Sequence, residues 1–110
     1  MKKNVLYLFD SNGDWIAFRI GKYLYNTDSD WIGWFPWKDK EIAVSKSGDY
    51  LGTIFDKDRL VYDTTQPYLG YPGYPGYPGY PGYPGYPGYK GYKFLRFGLE
   101  DIPKKFLKGD

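Results

Sequence analysis

The sequence predicts a small all-β protein: an antiparallel barrel or ring of four hairpin repeats, followed by a Tyr-Pro-Gly tail with polyproline-II-like geometry. Three observations predict it. Residues 6–18 (LYLFDSNGDWIAF), 22–34 (KYLYNTDSDWIGW) and 41–53 (EIAVSKSGDYLGT) superimpose without gaps. Each places an apolar run, rich in β-branched and aromatic residues, on both sides of a tip made of Asn, Asp, Ser and Gly, the residues that turn a chain cheaply. Residues 60–70 (LVYDTTQPYLG) follow the same template a fourth time. A lone hairpin is unstable in water and leaves bare edges, so four of them are expected to close on one another.

The first hairpin turns at Asn12-Gly13 and the third at Ser47-Gly48, the strongest of the tips; Asp28-Ser29 predicts a looser turn in the second. Every tip ends in Asp (Asp14, Asp30, Asp49), whose repetition is explained by turn hydrogen bonding. An aromatic, an aliphatic and a small residue then follow: Trp15-Ile16-Ala17, Trp31-Ile32-Gly33 and Tyr50-Leu51-Gly52. Gly33 and Gly52 are expected where backbones or large side chains crowd. The run Trp31 to Trp37 is apolar on both faces, and Pro36, which has no N–H to donate, is expected to end that strand. In the fourth unit Leu60-Val61-Tyr62 is expected to pair with Tyr68-Leu69-Gly70 across Thr64-Thr65-Gln66-Pro67.

Stretches such as LFDSNGDWIAF, YLYNTDSDWIGWF and DYLGTIFDKDRLVYD resemble the four-fold beta-flower proteins, short bacterial chains, over about residues 5–70. The resemblance implies hairpin petals around a shallow barrel, a Gly/Pro-rich and Arg-rich tail, and no established biochemical activity. Tyr stands here where most of the tail Arg would be.

The chain divides into a four-hairpin domain over 1–70, a low-complexity tract over 71–93, and a basic, apolar segment over 94–110. Tyr71–Gly88 is six consecutive Tyr-Pro-Gly triplets. A polyproline II helix, rising about 3.1 Å per residue, would extend roughly 55 Å. Successive type II turns, with Pro then Gly at the centre, would coil it; a collagen helix would need three chains; a plain spacer needs no order. The expectation is partial order, with Tyr71, Tyr74 and Tyr77 docked on an aromatic surface of Trp31, Trp34 and Trp37, as aromatic grooves take proline-rich ligands. Core packing is the competing role of each Trp. After the tract, Phe94 to Leu99 reads as a short strand or docking segment and Pro103 to Leu107 as one helical turn beginning at Pro. Phe and Leu among Lys make the terminus a core latch or a membrane-surface anchor, with the latch preferred.

Function is constrained mainly by exclusion. The 110 residues contain no His and no Cys, which removes Ser-His-Asp and Cys-His catalysis, ordinary zinc sites and disulfides. Asp10-Ser11-Asn12-Gly13-Asp14 begins like a calcium loop, but Trp15 and Gly21 stand where such a loop needs Gly and a bidentate Glu. No cofactor is expected and no enzyme. Four Trp, seven Phe and fourteen Tyr supply the apolar area that a small core needs. The net charge of +2 is too small for a nucleic-acid footprint, and no signal peptide or apolar span is readable, so a soluble cytoplasmic chain is expected. The expected partners are a second copy, another protein or an apolar ligand. The alternative is weak contact with anionic lipid, by likeness of such barrels to tubby-type domains.

Overall fold

The computed structural model describes residues 4–109. It is all-β: β1 (Val5–Phe9), β2 (Trp15–Ile20), β3 (Tyr23–Asn26), β4 (Trp31–Trp34), β5 (Ile42–Ser45), β6 (Tyr50–Phe55), β7 (Arg59–Asp63) and β8 (Leu99–Asp101), then a 3-10 turn at Lys104–Leu107 that starts after Pro103. Each strand pairs antiparallel with the next. Strands β1 to β7 close into a barrel where the end of β1 meets the start of β7 in parallel, Phe9 beside Arg59, and the Phe9 N–H donates to the Asp58 carbonyl at 2.9 Å. Closure leaves few free edges.

The first three hairpins turn in the same way. Asp10, Asn26 and Ser45 each make two backbone bonds across the tip: their carbonyls accept from the N–H groups of Gly13, Ser29 and Gly48, and their own N–H groups donate to the carbonyls of Asp14, Asp30 and Asp49. The fourth tip residue has positive φ each time, +92° at Gly13, +68° at Ser29 and +95° at Gly48. Gly adopts this at little cost and Ser29 does so under strain. The side-chain acceptors of the turns are Asp10 Oδ1, Asn26 Oδ1 and Ser45 Oγ, at 2.9–3.0 Å from the N–H of Asp14, Asp30 and Asp49. The expectation had given that role to the Asp at the end of each tip; the first tip residue takes it, because its side chain reaches back over the turn it opens. A bulge follows in register, between Leu8/Phe9, Leu24/Tyr25 and Ala43/Val44, setting Trp15, Trp31 and Tyr50 opposite Phe9, Tyr25 and Val44.

Inside the barrel Leu8, Leu24, Ile32, Leu51, Ile54 and Leu60 form the centre of the core. The small residues after the aliphatics are there for space. A Cβ on Gly33 would strike the Val44 carbonyl oxygen, and one on Gly52 would lie 2.5 Å from Ile102 Cδ1 and 2.7 Å from the Val61 carbonyl oxygen. On the other face of β1–β4 a second cluster forms around Phe18, Tyr25 and Trp31, with Phe18 and Tyr25 stacked at 5.2 Å. Apolar sequence on both faces of β4 is thereby accounted for, and β4 ends before Pro36.

The fourth hairpin departs from expectation. β7 pairs with Leu99–Asp101, and Tyr68-Leu69-Gly70 belongs to no strand. The letters of Tyr68-Leu69-Gly70 copy Tyr50-Leu51-Gly52, but Pro67 cannot donate to a ladder, whereas the strand that does pair delivers Ile102 into the space over Gly52. The tract is therefore the loop of this hairpin. Its mouth is shut by the Thr64 N–H and hydroxyl, both donating to the Gly98 carbonyl at 2.8 Å. Nor is the tract a continuous polyproline II helix, which needs φ near −75° throughout: the eight glycines from Gly70 to Gly91 have φ between +82° and +97°. The C-terminal latch is present, with Ile102 buried and Phe106 and Leu107 packed against the core.

Candidate functional site

From Thr64 the tract visits the hairpins in reverse order. Tyr71 lies over the third tip, its Cδ1 2.8 Å from where Gly48 would carry a Cβ. Gly82 accepts the Ser29 hydroxyl at 3.0 Å on the second tip. At the first, Gly13 accepts the Lys90 N–H at 2.9 Å and any Cβ on Gly13 would run into the Gly91 backbone, while Ser11 accepts the Lys93 N–H at 2.8 Å. The chain then passes the β6–β7 turn, pairing Lys90 with Asp58 at 3.1 Å and Lys93 with Asp56 at 2.6 Å, before it re-enters the sheet. All three positive-φ tip residues, chosen by turn geometry, double as seats for this belt.

Ring contacts follow the same path. Trp31, 8% exposed, fixes its indole by donating Nε1–H to the Gly33 carbonyl at 2.8 Å, and meets Tyr74 and Tyr77 at 5.8 and 5.7 Å between centroids. Trp15 donates Nε1–H to the Ala17 carbonyl at 2.8 Å and meets Tyr83 and Tyr86, both at 6.0 Å. Tyr23 lies edge-on to Trp31 at 6.1 Å as Tyr7 does to Trp15 at 5.9 Å. Two matching clusters therefore sit nine tract residues, or three triplets, apart, which is also the separation of Gly82 and Gly91. Centroids at 4.5–7 Å give each pair an attraction of about 0.5–1.5 kcal/mol beyond burial.

Of the residues singled out from sequence, Trp31, Tyr74 and Tyr77 come together, and Tyr71 seats on Gly48. Trp34 and Trp37 do not join them. Trp34 is buried beneath Lys22, whose Nζ is 5.8 Å from its ring, and among the described residues its Nε1 is a buried side-chain donor without a hydrogen-bond partner. Trp37 borders a small cleft with Ile42, Gly48, Pro67 and Leu69, at the start of the belt. Trp15, Tyr83 and Tyr86 were missed, although their signal was present: Trp15 holds in the first hairpin the place of Trp31 in the second. Arg59 was missed too. It is 6% exposed, and its Nη1 donates to the carbonyls of Asp10 at 3.0 Å and Gly91 at 2.8 Å, joining barrel seam to belt.

The belt remains aromatic on its outer side. The nine tyrosines from Tyr68 to Tyr92 are 58–82% exposed, and a cleft of about 390 Å³ opens between Ser29, Asp30, Trp31, Tyr74, Tyr77 and Tyr80. Burial pushes the pKa of Tyr25 and Tyr50 above the usual phenol value, the Thr53 and Asp63 hydrogen bonds of Tyr50 pulling the other way. Among the described residues no group of acidic side chains is placed to hold a metal, and no helix is long and apolar enough to cross a membrane. Comparison with protein-family models, with curated proteins and with solved structures finds no match.

Proposed function

We propose that this chain is a non-enzymatic structural or binding module of four-fold beta-flower type, built from repeats of one hairpin unit, in which an aromatic barrel surface engages the chain's own Tyr-Pro-Gly tract. In that arrangement the tract presents its tyrosines to a second copy or an apolar ligand. A cytoplasmic location is part of the same proposal and suits a cysteine-free chain.

The observation that carries the reading is the pair of matching Trp–Tyr–Tyr clusters, Trp31 with Tyr74 and Tyr77, Trp15 with Tyr83 and Tyr86. Proline-rich segments are taken by aromatic surfaces because their rings stack and the preset φ of Pro lowers the ordering cost. Lack of His and Cys removes the usual nucleophile and base pairs, which supports a non-catalytic role.

The test is Tyr74→Ala/Tyr77→Ala. With the barrel intact by far-UV circular dichroism, tryptophan emission should shift to the red and the midpoint of unfolding should fall by about 1–3 kcal/mol equivalent, the worth of two ring pairs. Unchanged emission in a folded variant would reject the engagement of tract and barrel.

A further inference from the structure

The end of the tract differs from the triplets before it. From Tyr89 to Phe97 three basic residues, Lys90, Lys93 and Arg96, interleave with Tyr89, Tyr92, Phe94 and Phe97, and no acidic residue occurs. Phe97 is 99% exposed and Phe94 75%. Large apolar rings standing this far out of a folded surface mark an interaction site when they occur together. The backbone on both sides of them is fixed: Lys90 and Lys93 donate their N–H groups to the first hairpin, Arg59 holds Gly91, and Gly98 is clamped by Thr64. The rings are held away from the barrel by bonded chain, so little ordering remains to be done when they are buried.

We infer that Tyr89–Phe97 is an interfacial anchor, with Phe94 and Phe97 entering the headgroup boundary of an anionic lipid bilayer. Tyr89 and Tyr92 have the amphipathic rings that settle at headgroup depth, and Arg96 supplies charge for lipid phosphates. Segments 56–58 and 89–97 together hold four basic and two acidic residues; Lys90 and Lys93 are paired with Asp58 and Asp56, and Lys57 and Arg96 make up the excess of two. Apolar insertion and charge then act together, as reversible membrane attachment requires. This anchor does not depend on the tract-engagement reading, because Phe94 and Phe97 lie outside the Trp–Tyr–Tyr clusters.

The experiment is co-sedimentation of the full chain with vesicles of phosphatidylcholine, with and without phosphatidylglycerol. Binding to the mixed vesicles is expected, weaker by roughly fivefold per contributing basic side chain without the anionic lipid. Phe94→Ser/Phe97→Ser should weaken it by at least roughly tenfold, with circular dichroism and tryptophan emission unchanged. In Phe97→Trp, quenching by brominated lipid should report ring insertion. Failure of the wild-type chain to sediment with either vesicle overturns the inference, as does undiminished binding by the double serine variant. If that variant instead converts a wild-type dimer into a monomer while vesicles have no effect, the rings belong to a second copy and the lipid assignment is wrong.

Discussion

Arg59 illustrates what single residues do here that their neighbours in sequence do not advertise. In the string Asp56-Lys57-Asp58-Arg59 it reads as one more turn charge. In the fold it is buried at the meeting of β1 and β7, with carbonyls of the first tip and of the belt as partners and Asp58 Oδ1 at 3.5 Å. A guanidinium out of water is tolerated only when its donors are satisfied, and deleting it removes the bonds that tie the first tip to the belt and leaves a cavity at the seam. Arg59→Ala should cost about 3–5 kcal/mol in urea unfolding, against under about 1 kcal/mol for Lys57→Ala, which lies exposed two residues away. Trp31 and its two tyrosines were legible because the aromatic positions recur in hairpin and tract; Arg59 was not, since its role depends on a seam between residues 49 apart.

Among elements, β8 carries the clearest lesson. Strand β7 and the apolar segment near the C-terminus were both readable, but their pairing was not, because local similarity favoured Tyr68-Leu69-Gly70 and the true partner lies beyond the tract. Period and turn chemistry report local structure; they are silent about which of two compatible segments wins when a long loop separates one of them, since loop length adds only slowly to closure cost. Packing decides, through Ile102 over Gly52. Ile102→Ala should therefore destabilise by about 2–5 kcal/mol, and a chain ending at Gly98 should lose its cooperative thermal transition. Retention of a sharp transition by that truncated chain would return the eighth-strand role to another segment. The three finished hairpins, by contrast, were visible down to their crowded glycines, because each is a contiguous stretch whose turn, bulge and strand positions all agree.

At the scale of the whole molecule the barrel and its belt are mutually dependent. The Tyr-Pro-Gly tract alone has nothing to fold against, and the outer cluster of β1–β4 would face water without it. The belt is anchored unevenly: over 82–93 it makes backbone bonds to tips and seam, and over 71–77 ring contacts and the seat on Gly48 hold it. Exchanging the six triplets for a Gly-Ser sequence of equal length would keep every covalent connection while removing four ring pairs and the stiffening of Pro. Unfolding should then come about 2–6 kcal/mol earlier, with the far-UV spectrum of the sheet preserved. A melting point equal to wild type would mean that the belt is merely carried. One consequence follows from the clamped mouth at Thr64 and Gly98. Because both ends of the excursion are tied to each other, adding or dropping one triplet leaves the strands behind the knot in register, while inside the strap it shifts which triplet meets each seat on the three tips.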